Sequence, residues 1–186
     1  MHCEAAAFPG ELAGIATSLA AALLPAALPH GASLTFSVVL DDRPLAIPYR
    51  VYYDQAQLLL CTERAGMEGL VAQCLGTRHH DGFVRERCAR ALLTQDADIR
   101  VPFLVQLLGE YVLEIILPIR HALSGPLLAA CAHYLHDNPR YKATLERRAT
   151  SYWSCYYRHR YPVLADYPAM QVVRQIDAAR AVRIPE

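Results

Sequence analysis

Residues 70–93 read LVAQCLGTRHHDGFVRERCARALL. The first part is apolar up to Leu75, and Gly76 then breaks the run. In the second part Val84, Cys88, Ala91 and Leu92 share one helical stripe, with Arg87 and Arg90 off it. Gly76 is a helix-ending residue and Asp81 an N-capping one, so the stretch reads as helix, corner, helix. The corner carries two adjacent histidines followed by an aspartate, which raises a second reading as a metal or acid–base cluster.

Downstream the helical pattern continues. After the polar loop TQDADIR (94–100), the run VPFLVQLLGEYVLEIILPI (101–119) is apolar on nearly every face. It is expected to be the central, most buried helix, kinked or ended by Pro118. Further helices are expected over 126–136, from Pro139 to about 160 with Asn138 as N-cap, and near 168–182 after Pro168. Upstream, 65–75 forms the short helix that leads into the corner.

Nearer the N-terminus the period changes. In SLTFSVVL, Leu34, Phe36, Val38 and Leu40 alternate with small or polar residues. In LAIPYRVYY, Leu45, Ile47, Tyr49, Val51 and Tyr53 do the same. Asp41–Asp42–Arg43–Pro44 between them predicts a turn, so the pair predicts a β-hairpin. Pro48 cannot donate to a ladder and implies an edge strand or an outward position. Leu58–Cys61 is a candidate short strand. A lone hairpin is marginal in water, so it is expected to lie on helices or to pair with a second copy. Residues 11–24 predict a further helix, with Pro25 and Pro29–Gly31 as breakers.

The 70–93 segment resembles a HEAT-type helical repeat, with Leu75, Asp81, Val84–Arg85 and Ala91–Leu92 in the positions that carry that family's pattern. At an offset near 31 residues a degraded second copy follows, placing Val84 on Ile115 and Ala91–Leu92 on Ala122–Leu123, so the likeness extends over about residues 65–123. The resemblance implies right-handed helical hairpins stacked on one another, and a scaffold or interaction surface. It does not reach the hairpin.

Composition bounds the function. Apolar residues make up 54% and charged residues 19% of the chain, against about 25% charged in an average domain. This favours a partly covered surface and self-association. Eighteen basic and eighteen acidic side chains balance, so overall charge provides no attraction to nucleic acid or membrane. The six cysteines form no C-x-x-C pair, which argues against a zinc ribbon. Cys74, Cys88 and Cys131 read as buried small hydrophobes, and reduced thiols fit a cytoplasmic setting. The charge-free run 12–28 lacks a basic n-region and contains Pro25, so a buried helix is expected there, not a leader or a membrane span.

Three constellations carry candidate chemistry. His79 and His80 are candidate metal ligands. Asp81, Glu110 and Glu114 are candidate catalytic carboxylates, the two glutamates spaced i, i+4 on one helix face. The plainer reading makes Asp81 a cap, leaves the histidines in a solvated turn, and has Arg78, Arg85 or Arg87 neutralise the glutamates. His133 and His136 lie in the last turn of a helix, where the dipole favours cations. The helix 139–160 holds six Lys/Arg, one Glu and, through Tyr161, six aromatics. Its Tyr141–Leu145–Ala149–Tyr152–Tyr156 stripe reads as core, and Trp153, Tyr157 and Tyr161 as a partner-binding strip.

The expectation is a mainly α protein, with residues 1–62 an α+β appendage of helix and hairpin and 63–186 a HEAT-like helical domain. Its expected role is a self-associating protein–protein interaction or scaffold module without a cofactor, more fitting than an enzyme. The alternatives are a metal-binding or hydrolytic enzyme built on the His/Asp/Glu residues, and nucleic-acid binding through 139–160.

Overall fold

A computed structural model describes residues 3–23 and 34–181. The chain is mainly α-helical with one small antiparallel hairpin. It divides into two compact units, Met1–Phe103 and Leu104–Glu186.

In the first unit a 3-10 turn, Cys3–Ala7, leads into α1, Gly10–Ala22. The proposed breakers Pro25 and Pro29–Gly31 lie outside the described residues. The hairpin follows as β1, Thr35–Leu40, and β2, Arg43–Pro48. Its pairs include Phe36↔Ile47, Val38↔Leu45 and Leu40↔Arg43. The connection is a two-residue turn with both Asp41 (φ 49°) and Asp42 (φ 61°) left-handed, the handedness that matches strand twist. Phe36, Val38, Leu40, Leu45 and Ile47 are buried, as the alternation requires. β2 packs on the Cys3–Ala7 turn, and α1 packs on that turn and on α3, Gly66–Gly76.

Two details depart from the alternation pattern. Pro48 ends β2 opposite Thr35 without interrupting the pairing, because the next amide, Tyr49 N–H, still donates to the Leu34 carbonyl at 2.8 Å and the missing N–H falls at a position that makes no ladder bond. Val51 leaves the hairpin and bridges in parallel to His79 instead. Leu58–Cys61 is helical and not a strand: it lies in α2, Gln55–Thr62, which Asp54 caps by accepting from the Gln57 N–H at 2.9 Å.

The quoted corner lies between α3 and α4, Gly82–Leu93. Val84, Cys88 and Leu92 are buried on α4. The two helices approach so closely that a Cβ on Gly76 would lie 2.2 Å from Cys88 Sγ. This is a packing reason for glycine there, beyond ending the helix.

The long apolar run is not one helix. It forms α5, Arg100–Leu107, and α6, Leu113–Ala122. The amides of Leu108, Gly109 and Glu110 bond back three residues and tighten the break. A Cβ at Gly109 would meet Leu145 Cδ1 at 2.9 Å, so a close approach at a glycine accompanies the break. Pro118 remains inside α6.

In the second unit α7, Gly125–Asp137, is followed by α8, Pro139–Tyr152, and α9, Pro168–Ala181. α9 packs on α6, α7 and α8 through buried Ala169, Val172, Val173 and Ile176. Lys142 on α8 reaches Glu146 and Asp177 at 3.0 Å each. Asn138 precedes Pro139 as expected, but its side chain donates to the Tyr134 carbonyl at 2.8 Å instead of capping α8. α8 runs into a π-helical turn, Trp153–Tyr157. No single helix among the described residues is long and apolar enough to cross a membrane.

Candidate functional site

The His79–Asp81 corner is built by two short extended segments. Residue 51 pairs with 78–80: the Val51 N–H donates to the Arg78 carbonyl at 2.9 Å, and the His80 N–H to the Val51 carbonyl at 3.1 Å. Thr77, Arg78 and His79 are fully buried. The corner is therefore not a solvated turn, which corrects the plainer sequence reading. Covering it with the segment after the hairpin leaves its backbone groups to be satisfied internally.

His79 does part of that work. Its Nε2 lies 2.9 Å from the Tyr53 carbonyl, and its Nδ1 lies 3.1 Å from the Asp81 N–H. A carbonyl only accepts and an amide only donates. The pair therefore defines the neutral tautomer with the proton on Nε2. Burial lowers the His79 pKa from its ordinary value; His80 and Arg85 push the same way, while the Tyr53 bond and Asp81 oppose them. Both ring nitrogens are thus committed to backbone, and the one lone pair, on Nδ1, is taken by the Asp81 N–H.

Asp81 caps α4 through Oδ1, which accepts from Phe83 and Val84 at 2.8 and 3.1 Å. His80 is half-buried. Its ring stacks on Tyr52 at 5.4 Å and 15°, and lies 4.2 Å from the ring of His79. Arg85 Nη1 donates to the His79 and His80 carbonyls, both at 2.9 Å. Arg87 pairs with Glu63 at 2.7 Å.

Glu110 and Glu114 do not share a helix face, because Glu110 stands in the turn between α5 and α6 and is buried. Glu114 is exposed in the first turn of α6, where the macrodipole favours a carboxylate. These two residues lie in the second unit, whereas His79, His80 and Asp81 lie in the first. Among the described residues no group of three His, Cys, Asp or Glu side chains is placed to hold a metal ion. His133 pairs with Asp137 at 3.5 Å.

The aromatic strip after α8 has partners within its own unit. Trp153 Nε1 donates to the Tyr161 carbonyl at 2.7 Å. The Tyr157 hydroxyl donates to the Tyr111 carbonyl, and its ring stacks on buried Tyr167 at 5.5 Å. Tyr161 meets Tyr167 edge-on at 6.0 Å. Burial, and then Glu114, raise the Tyr157 pKa, and burial raises that of Tyr167. Arg158 lies over the Trp153 ring at 4.9 Å and Arg160 over the Tyr161 ring at 5.6 Å.

Spacing did not reveal Tyr52, Tyr53, Tyr111 or Tyr167 as partners of these groups. Tyr52, Tyr53 and Tyr111 act through contacts distant in sequence, and Tyr167 through the nearer rings of Tyr157 and Tyr161. The only available signal was that Tyr53 continues the β alternation past Pro48. Cys74 and Cys88, buried on α3 and α4, have thiols pushed up by burial, Cys88 to about 12. That makes them poor nucleophiles at neutral pH. No protein-family model, curated protein or solved structure matches the chain.

Proposed function

We propose that the chain is a helical protein–protein interaction module that associates with itself. The observation that carries this is the exposure of large apolar side chains on three consecutive helices of the first unit. Leu60 on α2 is 68% exposed, Met67 on α3 54% and Phe83 on α4 81%. Single exposed leucines are ordinary. Three on successive packed helices, in a chain with 19% charge, fit a surface that a second copy covers.

A HEAT-type reading of the helical hairpins accords with the element boundaries. α3 and α4 are separated by a short corner, as are α5 and α6. Val84 is the third residue of α4 and Ile115 the third of α6, in keeping with the 31-residue offset. The hydrolytic and metal-binding reading gains no such support, since both His79 nitrogens are engaged by backbone.

Sedimentation velocity of the full chain over a range of concentrations tests the proposal. The expected result is reversible dimerisation that weakens in the Leu60→Ser/Met67→Ser/Phe83→Ser variant while its far-ultraviolet spectrum is retained. A monomer at every concentration, or association unchanged by the triple substitution, overturns it.

A further inference from the structure

The exposed rings of the second unit fall into two groups. Trp153 and Tyr161 are covered by cations, since Arg158 lies over one ring and Arg160 over the other. Among the described residues no cation lies over Tyr111, Tyr152 or Tyr156. Tyr156 belongs to the stripe whose spacing reads as core, yet it is 56% exposed, and Tyr111 is 49% exposed. Tyr152 is half-buried. These three rings are therefore neither core nor covered.

The rings form a nearly equilateral group. The centroid of Tyr111 lies 5.7 Å from that of Tyr152 and 5.7 Å from that of Tyr156, and the last two are 6.2 Å apart. Their planes are tilted by 49°, 34° and 31°. No pair is edge-to-face, so no ring's negative face is covered by the positive rim of another. A point between them is about 3.4 Å from every centroid, and a cation about 3 Å above it is about 4.5 Å from each, within the roughly 6 Å over which a ring face attracts charge.

A carboxylate stands beside the group. Glu114, three positions after Tyr111, is exposed and has no ion pair among the described residues. Burial, and then the Glu114 charge, raise the Tyr157 pKa, and the Tyr157 hydroxyl donates to the Tyr111 carbonyl. The neighbouring arginines are turned elsewhere. Arg148 Nε donates to the Gly109 carbonyl at 3.2 Å, and Arg160 faces Tyr161. Helical spacing sets Arg140 and Arg147 on the other side of α8 from Tyr152.

Three uncovered π faces with one unpaired carboxylate nearby suit a cation that is bulky and weakly hydrated. A primary ammonium holds its water tightly and brings three donors to a surface with few acceptors. A quaternary ammonium has no N–H to satisfy and spreads its charge over methyl groups that lie against ring faces. We propose that Tyr111, Tyr152 and Tyr156, with Glu114 beside them, bind a quaternary ammonium group, the shared chemistry of choline compounds and trimethylated lysine. This does not rest on self-association, which was assigned to the first unit.

The test is proton nuclear magnetic resonance of tetramethylammonium, choline and a trimethyl-lysine peptide, each titrated with the full chain. Ring currents above the faces move the N-methyl signal upfield, saturably, with a Kd of about 1–10 mM for so open a site. Dimethylbutanol, the uncharged carbon isostere of choline, shows no such saturable shift. Tyr111→Leu and Tyr156→Leu each weaken choline binding about twofold to fivefold. Tyr156→Phe keeps it, because the ring face is used and the hydroxyl is not. Glu114→Gln weakens it about twofold. Circular dichroism checks folding, and the phenylalanine variant separates a lost ring from lost structure.

Several results overturn the proposal: no saturable shift of the N-methyl signal, or a choline affinity unchanged in both leucine variants. Equal binding of dimethylbutanol reduces the rings to a plain apolar patch, and equal binding of the unmethylated lysine peptide reduces the site to a general cation surface. Either outcome also overturns it. Tighter binding of choline, or of the trimethyl-lysine peptide, supports the proposal and identifies the source of the group.

Discussion

Replacing His79 with leucine removes two bonds from the corner at nearly constant volume. The Tyr53 carbonyl loses a donor at 2.9 Å in a fully buried site, and the half-buried Asp81 amide loses an acceptor at 3.1 Å. Taking a partner from a buried polar group costs about 1–3 kcal/mol, and the more accessible amide adds about 1. Extra apolar burial by leucine offsets about 1 kcal/mol. The net loss is about 2 kcal/mol near neutral pH, or about 4–8 °C in Tm for a chain of this size.

The pH dependence sharpens this prediction. Burial holds the folded His79 pKa below its ordinary 6.5. Between the lowered value and 6.5 the unfolded chain binds more protons than the folded one. The wild type therefore has its full stability above 6.5 and loses it as the pH falls towards the folded pKa, by up to about 1.4 kcal/mol per pH unit. The leucine variant lacks this loss, so the gap between the two proteins closes on acidification. Denaturant unfolding of both proteins from about pH 8 to about pH 5 measures it. Hydrogen exchange at the His80 amide, bonded to the Val51 carbonyl, reports the same change locally. A gap under about 0.5 kcal/mol at neutral pH, or one that stays constant or widens in acid, would refute the account.

Two further outcomes follow from the packing of α3 against α4. Gly76→Ala places a methyl group 2.2 Å from Cys88 Sγ. It is expected to destabilise by about 1–3 kcal/mol despite the better helix propensity of alanine. Adding Cys88→Ala should recover most of that loss, and a coupling below about 0.5 kcal/mol in the double-mutant cycle would count against the steric cause. Alkylation of native protein at mildly basic pH should mark exposed Cys155 quickly and leave Cys74 and Cys88 unreacted until the chain unfolds. Peptide mass spectrometry decides it, and native labelling of either buried thiol at the rate of Cys155 would contradict their burial.

Where local pattern governs, the sequence was legible. Hydrophobic alternation with an Asp–Asp turn placed the hairpin, and stripes with flanking Gly, Asp or Pro placed α3, α4, α7, α8 and α9. Legibility failed where long-range contact decides. An apolar run without polar faces has no helical period, so the break at 108–112 was invisible. Its best cue, Gly109, matters because Leu145 approaches it, a contact 36 positions away (145 − 109). Leu58–Cys61 looked like a strand for the opposite reason: four residues are too few to separate the periods, and the deciding cap at Asp54 lies outside them.

The candidate site shows the same division more sharply. Asp81 was readable as a cap because capping is local. The histidines were not readable, because their role depends on a segment 26–28 positions earlier (79 − 53 and 79 − 51) returning to the corner. Once Val51 pairs with the corner, water is excluded and donors and acceptors must be found inside it. A neutral imidazole offers one of each, and His79 uses its donor on Tyr53 and its acceptor on Asp81. Its neighbour, facing the other way along an extended segment, stacks on Tyr52 instead. Adjacent histidines with different partners are what a covered bridge requires, whereas a shared ion would need both lone pairs to converge. Function should therefore be sought where polar or apolar groups lack a structural task. By that criterion the exposed apolar side chains of α2–α4 rank ahead of His79, whose two ring nitrogens are both engaged.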